Sequence, residues 1–330
     1  MSNRSTLPGG PVAVRSANRI GDRPRVSSRF LAVRSRSDGS WHGRQRGWAG
    51  VFLAPALVIL VPFVLLPIAL TFWISLHSWN MLTPISQMKW LGLTNYSNLL
   101  SNPDFRQAME NTGIYVGIVV VVTVPLSLVL GMLLYFPRVS GRALARTVLF
   151  SSYVIPTVAV AIVWDELYQP GYGPFARLFE LVGLPAPSFL SSPTTALVSL
   201  AAFNVWQMLG YYTVLVVAGL TQIPGELYEA ARIDGAGRTK QALRITLPML
   251  RGTTLFVILI TIINSVQVFD PVYILTQGGP INSTDVISYD IQRTAFEYGL
   301  AGQASAEAFS LLIVLAVIAM VIVRFMRRKT

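Results

Sequence analysis

The sequence predicts an all-α integral membrane fold with six transmembrane helices and both termini on the cytoplasmic side. Three observations lead there: charge is scarce, it is absent from long stretches, and the basic residues fall in alternate connections. Charged residues make up 12% of the 330 positions and hydrophobic ones 53%. A soluble domain carries about twice that charged fraction. No Asp, Glu, Lys or Arg occurs over 47–88, 111–137, 147–164, 181–225, 252–269 or 308–323.

A helix crosses the hydrocarbon with roughly 20 apolar residues, and about 18 already makes a candidate. The charge-free runs therefore place spans at about 49–76, 113–136, 147–168, 195–220, 252–275 and 303–325. The last run is short, so its helix starts near Gly302 and Glu307 falls near the outer interface. Ten arginines precede the first span, and 22 of the 26 basic residues lie on the side of the termini. Only Lys89, Arg106, Arg177 and Arg293 fall on the other side. Excess Lys and Arg in short loops marks the cytoplasm. The net charge of +11 is thus a topology signal and implies no nucleic-acid partner.

Residues 1–46 are rich in Arg, Ser and Gly and lack apolar periodicity. They read as a disordered basic cytoplasmic tail held near anionic lipid, ahead of a membrane domain over 47–330. Pro55, Pro62 and Pro67 predict a kinked, peripheral first span. A short interfacial helix is expected between Trp79 and Asn111, and a proline- and glycine-rich loop between Tyr168 and Ser192. No inverted repeat relates the first three spans to the last three, which disfavours a secondary transporter.

Cysteine is absent, and His42 and His77 are too few and too far apart for a metal cluster, so no metal site is expected. No catalytic constellation is visible. The chain also lacks a G-x-x-x-x-G-K-[ST] loop to cradle ATP phosphates; GAGRTK at 235–240 has the wrong spacing. No cofactor is expected.

The most informative segment is 223–251, IPGELYEAARIDGAGRTKQALRITLPMLR. Pro224 suits a first helical turn, and Gly235 and Gly237 suit a helix end. Between them Leu227, Ala230, Ala231 and Asp234 share one face, while Glu226, Glu229 and Arg232 fall on others. Two alanines let such a helix enter a groove closely, and an adjacent glutamate can bond a partner's Arg or Lys. Gly235 ends the helix where a side chain would clash or misdirect the chain. Leu243, Ile245 and Leu247 then begin a second element leading through Pro248 into the fifth span.

Glu229-Ala230-Ala231, three residues, Gly235, nine residues, Ile245, one residue, Leu247-Pro248 resembles the EAA loop of importer-type ABC permeases at every defined position. The wider chain is similar to the larger permease subunit of the carbohydrate-uptake branch, the maltose and glycerol-phosphate permeases. Val148 to Trp164 with Pro156, Ala218 to Pro224, and Phe269 to Pro280 carry that likeness, which covers about residues 48–328. One departure is GYGPFARL, where the pattern has Asn before the final Leu. The resemblance implies a multi-pass protein of the bacterial inner membrane whose loop docks on an ATPase. It implies a second permease subunit, two copies of a cytoplasmic ATPase subunit that binds the ATP, and an extracytoplasmic solute-binding protein.

A polar solute crossing lipid needs hydrogen-bonding partners at mid-depth, where polar groups are costly unless used or paired. Span three offers Tyr153 and Thr157, span four Asn204, Trp206, Gln207, Tyr211 and Tyr212, span five Asn264, Ser265 and Gln267. Amides donate and accept, and aromatic rings supply flat apolar faces, a combination suited to sugars. The alternative is that these residues tie helices together. The maltose-type resemblance further implies cavity positions for Asn204, Tyr211, Asn264 and Ser265. The path as read from the sequence comprises Thr157, Asn204, Tyr211, Asn264, Ser265 and Gln267. A neutral sugar or polyol is favoured over glycerol-3-phosphate or a glycerophosphodiester, because these spans carry no Lys or Arg. An ion-coupled transporter would need acid or histidine relays that the span interiors lack.

Overall fold

A computed structural model describes residues 52–135 and 141–327. The basic tail 1–46, Arg138 and the last three residues lie outside the described residues, and the packing below lies within the unit Ile59–Thr330. Five helices are long and apolar enough to cross a membrane: α1 (Phe52–Ser75), Pro103–Tyr135, Ala196–Leu220, Arg251–Leu275 and Ala301–Arg327. Two consecutive helices, Arg142–Val154 and Thr157–Tyr168, make a sixth only if the bent pair counts as one span.

A short antiparallel ribbon, β1 (His77–Ser78) with β2 (Lys89–Trp90), follows α1. Next come α2 (Thr94–Ser101) and α3 (Pro103–Tyr135), which starts ten residues before the expected 113. The reason is legible in the sequence: Asn102 caps the helix by accepting the Asp104 N–H at 2.9 Å, and Pro103 fills the first turn.

The expected third span, 147–168, is two helices: α4 (Arg142–Val154) and α5 (Thr157–Tyr168), bent by 99°. Ile155 and Pro156 are extended between them, at ψ 134° and 129°. Proline disfavours helical geometry in the residue before it and removes a helix donor. The loop expected over 168–192 contains an amphipathic helix, α6 (Pro174–Leu181).

The central element is α7 (Ala196–Leu220), which packs most extensively on α3 and also on α4. A Cβ at Gly210 would run into the Leu149 carbonyl, so α4 and α7 cross at backbone contact. After α7 come α8 (Gly225–Ile233), α9 (Arg238–Gln241), a wide π-helical turn at Ala242–Thr246, and α10 (Leu247–Met249). The fifth span is α11 (Arg251–Val266), a break, then α12 (Asp270–Leu275). A further short helix, α13 (Ile287–Gln292), precedes α14 (Ala301–Arg327), which packs on α1 with Phe72 and Phe309 rings 4.8 Å apart.

Two of the three described π-turns share a cause. Val61–Leu65 is followed by Leu66-Pro67, and Ala242–Thr246 by Leu247-Pro248. Proline has no N–H for the carbonyl four residues back. In both places the preceding leucine donates five residues back instead, Leu66 to Val61 and Leu247 to Ala242. The expected kink of α1 thus takes the form of a widened turn.

Candidate functional site

The connection between α7 and α11 is organised around α8. Pro224 is its extended N-cap, so the helix begins one residue later, at Gly225. At the other end Gly235 N–H donates to Arg232 O at 3.1 Å and Ala236 N–H to Ala231 O at 2.8 Å, with Gly235 at φ +73°. This is a Schellman cap, and its left-handed residue favours glycine. A Cβ at Gly235 would meet nothing within 4 Å. The expected clash is absent, and backbone conformation is the constraint. Gly237 does not end α8; it is the extended N-cap of α9.

Exposure divides the faces of α8. Leu227, Glu229, Ala230, Ile233 and Asp234 are exposed and Ala231 is half-buried. Glu229 has no ion-pair partner among the described residues. Tyr228 alone is buried, and its hydroxyl lies 3.1 Å from Thr246 Oγ1. Of the remaining loop residues, Ile245 packs half-buried against the cluster containing Tyr228, Leu220 and Leu250. Leu247 is half-buried and Pro248 exposed. The sequence reading passed over Tyr228, although its position one residue after Leu227 puts it on a different face from the small-residue stripe.

The path residues fall into two groups. At the α4–α5 bend, Gln207 Nε2 donates to Thr157 Oγ1 at 3.0 Å. The Tyr153 ring stacks on Tyr211, centroids 4.6 Å apart at 18°. Tyr211 touches Tyr212, whose hydroxyl accepts a bond from Asn264 Nδ2 at 3.1 Å. Asn204, Gln207 and Tyr211 recur at helical spacing on one side of α7; Asn204 is buried and Trp206 is 42% exposed. Two sets of contacts therefore meet along α7: Gln207 with Thr157, and the Tyr211–Tyr212 ring pair with Tyr153 on one side and Asn264 on the other. Ser265 joins neither set: it continues the buried stripe of Val257 and Thr261, and its hydroxyl has no hydrogen-bond partner among the described residues. Gln267 stands exposed in the break after α11. The cavity of about 280 Å³ lined by Tyr168, Phe189 and Thr195 includes none of the six path residues.

A second polar cluster was not anticipated. Arg293 Nη2 donates to Asp285 Oδ2 and, at 2.9 Å, to Asp290 Oδ1, with all three residues buried. The Arg293 guanidinium also lies 5.7 Å from the Tyr289 and Tyr298 ring centres. Asn111 on α3 donates to the Asp285 and Asn282 carbonyls, each at 2.9 Å. Burial pushes the Asp285 carboxyl up to about 6, against the lowering pull of Arg293 and with a smaller push from Asp290. Glu307, expected at the interface, is fully buried on α14 and accepts a bond from Gln303 at 3.2 Å. The three charges of 285–293 were visible in the sequence, but their pairing depends on the folded loop.

Residues 123–330 match the family described as the binding-protein-dependent transport system inner membrane component. The probable ABC transporter permease protein YurN of Bacillus subtilis is 34% identical over 280 residues, covering 84% of this chain and 95% of the relative. The trehalose/maltose transport system permease protein MalF of Thermococcus litoralis is 32% identical, covering 84% and 94%. Among solved structures, a chain of a bacterial ABC transporter involved in alginate import has the same fold, with TM-score 0.75 over 88% of this chain and 99% of that one, at 24% identity. By sequence match and span pattern, this chain belongs to the inner-membrane-component family of binding-protein-dependent transport systems.

Proposed function

We propose that the chain is the permease subunit of an ATP-driven importer that forms a translocation path for a sugar or related polyol and docks on a separate ATPase through α8. The exposed Leu227–Ala230 face of α8, with Glu229 in no ion pair among the described residues and the helix held from behind by Tyr228, carries this reading. A bond from Glu229 to a basic groove residue of the ATPase is worth roughly 2–5 kcal/mol when truncated. The remaining subunits would be a second permease, two ATPase copies and an extracytoplasmic solute-binding protein. The 22 basic residues on the side of both termini support placing α8 in the cytoplasm.

The two sets of contacts along α7, Gln207 with Thr157 and the tyrosines with Asn264, support a neutral, hydroxyl-rich solute. They set amides and hydroxyls beside a stacked tyrosine pair, and no Lys or Arg belongs to them. The sugar permeases among the relatives support the same class. Two measurements test the reading. Thermal shift of the solute-binding protein with maltose, trehalose and glycerol 3-phosphate separates a sugar from a phosphate ester. In the assembled complex, Glu229→Ala should lose co-purified ATPase subunit and stimulated ATP hydrolysis while the chain still inserts. Wild-type values in both would remove the docking assignment.

A further inference from the structure

We propose that Tyr228 and Thr246 form a hydrogen-bonded link that fixes the angle of α8 to the helix entering span five, and so transmits movement between the ATPase and the path. The proposal rests on α8 being the docking helix. Tyr228 and Thr246 are positioning residues; neither meets ATP or solute.

Three observations converge on this pair. Tyr228 is the one buried residue of α8; Ala231 is half-buried and the other side chains of that helix are exposed. Its hydroxyl ends on the Thr246 hydroxyl, which is fully buried and lies 3.4 Å from the Gln241 carbonyl. Gln241 in turn donates through Nε2 to the Ala236 carbonyl at 2.8 Å, in the turn that caps α8. The bonds close a ring: from the first turns of α8 through Tyr228 to Thr246, along the chain to Gln241, and back to the far end of α8. A helix tied at both ends moves with its neighbour instead of swinging freely.

Thr246 is also placed where the chain can flex. It is the last residue of the π-turn that Pro248 forces by withholding an N–H, and a π-turn differs from an α-turn by a one-residue shift in bonding. Beyond it, Leu250 and Val257 share a packed cluster with Tyr228 and Tyr212. Tyr212 accepts the bond from Asn264. One apolar cluster thus spans from the docking helix to the path, and the Tyr228–Thr246 bond is the directional contact at its lower end. A close-packed cluster transmits displacement because it has no slack to absorb it.

The test uses the complete complex, with ATP hydrolysis measured with and without the solute-binding protein saturated with maltose and, separately, with trehalose. Tyr228→Phe keeps the ring and removes one oxygen. It should keep wild-type amounts of co-purified ATPase subunit while stimulation per assembled complex falls several-fold. Thr246→Val should do the same, Thr246→Ser should retain stimulation, and the Tyr228→Phe/Thr246→Val pair should be no worse than either alone. A merely structural contact would instead lower yield and thermal midpoint, leaving stimulation per complex unchanged. Full stimulation in Tyr228→Phe, or a loss in Thr246→Ser equal to that in Thr246→Val, overturns the link. Glu229→Ala in the same preparation separates the two ideas. If it loses co-purified ATPase while Tyr228→Phe is wild type, only the link fails; if it is wild type throughout, the docking reading fails with it.

Discussion

The segments 223–251 and 276–300 both connect apolar helices, and both are rich in charge, yet they handle it in opposite ways. In the first, Glu226, Glu229, Arg232, Asp234, Arg238, Lys240 and Arg244 are all exposed and none is ion-paired among the described residues. In the second, three of the four charges, Asp285, Asp290 and Arg293, are buried against one another, and Glu297 alone is exposed. An exposed charge in water contributes little to folding and is available to a partner. A buried one must be matched within the chain, because stripping its water costs several kcal/mol per ion. The first segment leaves its charges free, as the proposed docking on another protein requires, and the second uses its charges to hold its own shape. A family pattern defined by spacing recognises the first kind readily, since the partner fixes the spacing.

Removing a charge should therefore have different consequences in the two places. Arg293→Met leaves two buried carboxylates without their cation, a loss of about 3–5 kcal/mol. The variant should accumulate poorly or show a strongly lowered thermal midpoint in detergent. Arg238→Met, in the exposed segment, should stay within about 0.5 kcal/mol of wild type. Equal midpoints for the two variants would break the comparison. A smaller effect is expected at Gly235, whose φ of +73° costs an L-residue roughly 1–2 kcal/mol. Gly235→Ala should fray the end of α8 and weaken ATPase co-purification while leaving the spans intact. Gly252→Ala, inside a helix and with open space for its Cβ, is the control and should be neutral or slightly stabilising. A wild-type complex with Gly235→Ala would mean the Schellman cap does not set the docking surface.

The sequence made the spans legible because lipid excludes charge, and the charge-free runs mark them directly. It made segment 223–251 legible because Glu229, Ala230, Ala231 and Gly235 stand at the spacing of a family pattern. Local signals for two corrections were present and underweighted: Pro156 marks the 99° bend, and Asn102-Pro103-Asp104 marks the early start of α3. Other features have no local signature. That Tyr228 meets Thr246 18 residues away, or that Asn111 reaches the Asp285 carbonyl 174 residues away, follows only from tertiary packing. Ser265 and Gln267 show the converse limit. Adjacent polar residues on a helix point about 100° apart, so Asn264 can reach Tyr212 while Ser265 turns into the core.

The smallest expected effect concerns protons, and of the two segments it falls on the buried one. Asp285 faces Arg293 and Asp290 within its own loop and Asp104 from α3, and burial outweighs the arginine in raising its carboxyl from 3.8 to about 6. The direction for Asp290 is the same, with burial again the leading cause. A raised acid binds its proton more readily in the folded protein than in the unfolded chain. Its contribution to stability is therefore fully present below pH 3.8 and is lost as pH rises through about 6. Between pH 5.5 and 7.5 the loss for Asp285 alone is about 1 kcal/mol, from the linkage of a two-unit shift. The thermal midpoint should thus be modestly higher at pH 5.5 than at 7.5. Asp285→Asn, which imitates the protonated carboxyl and keeps an oxygen to accept from Arg293, should flatten that slope. Arg238→Met should leave the slope as in wild type, because Arg238 is exposed and forms no ion pair among the described residues. A midpoint that rises with pH over this range, or a slope unchanged in Asp285→Asn, would mean that Arg293 holds Asp285 charged in spite of burial. The buried segment would then resist acid least, where the comparison with the exposed loop says it should resist it best.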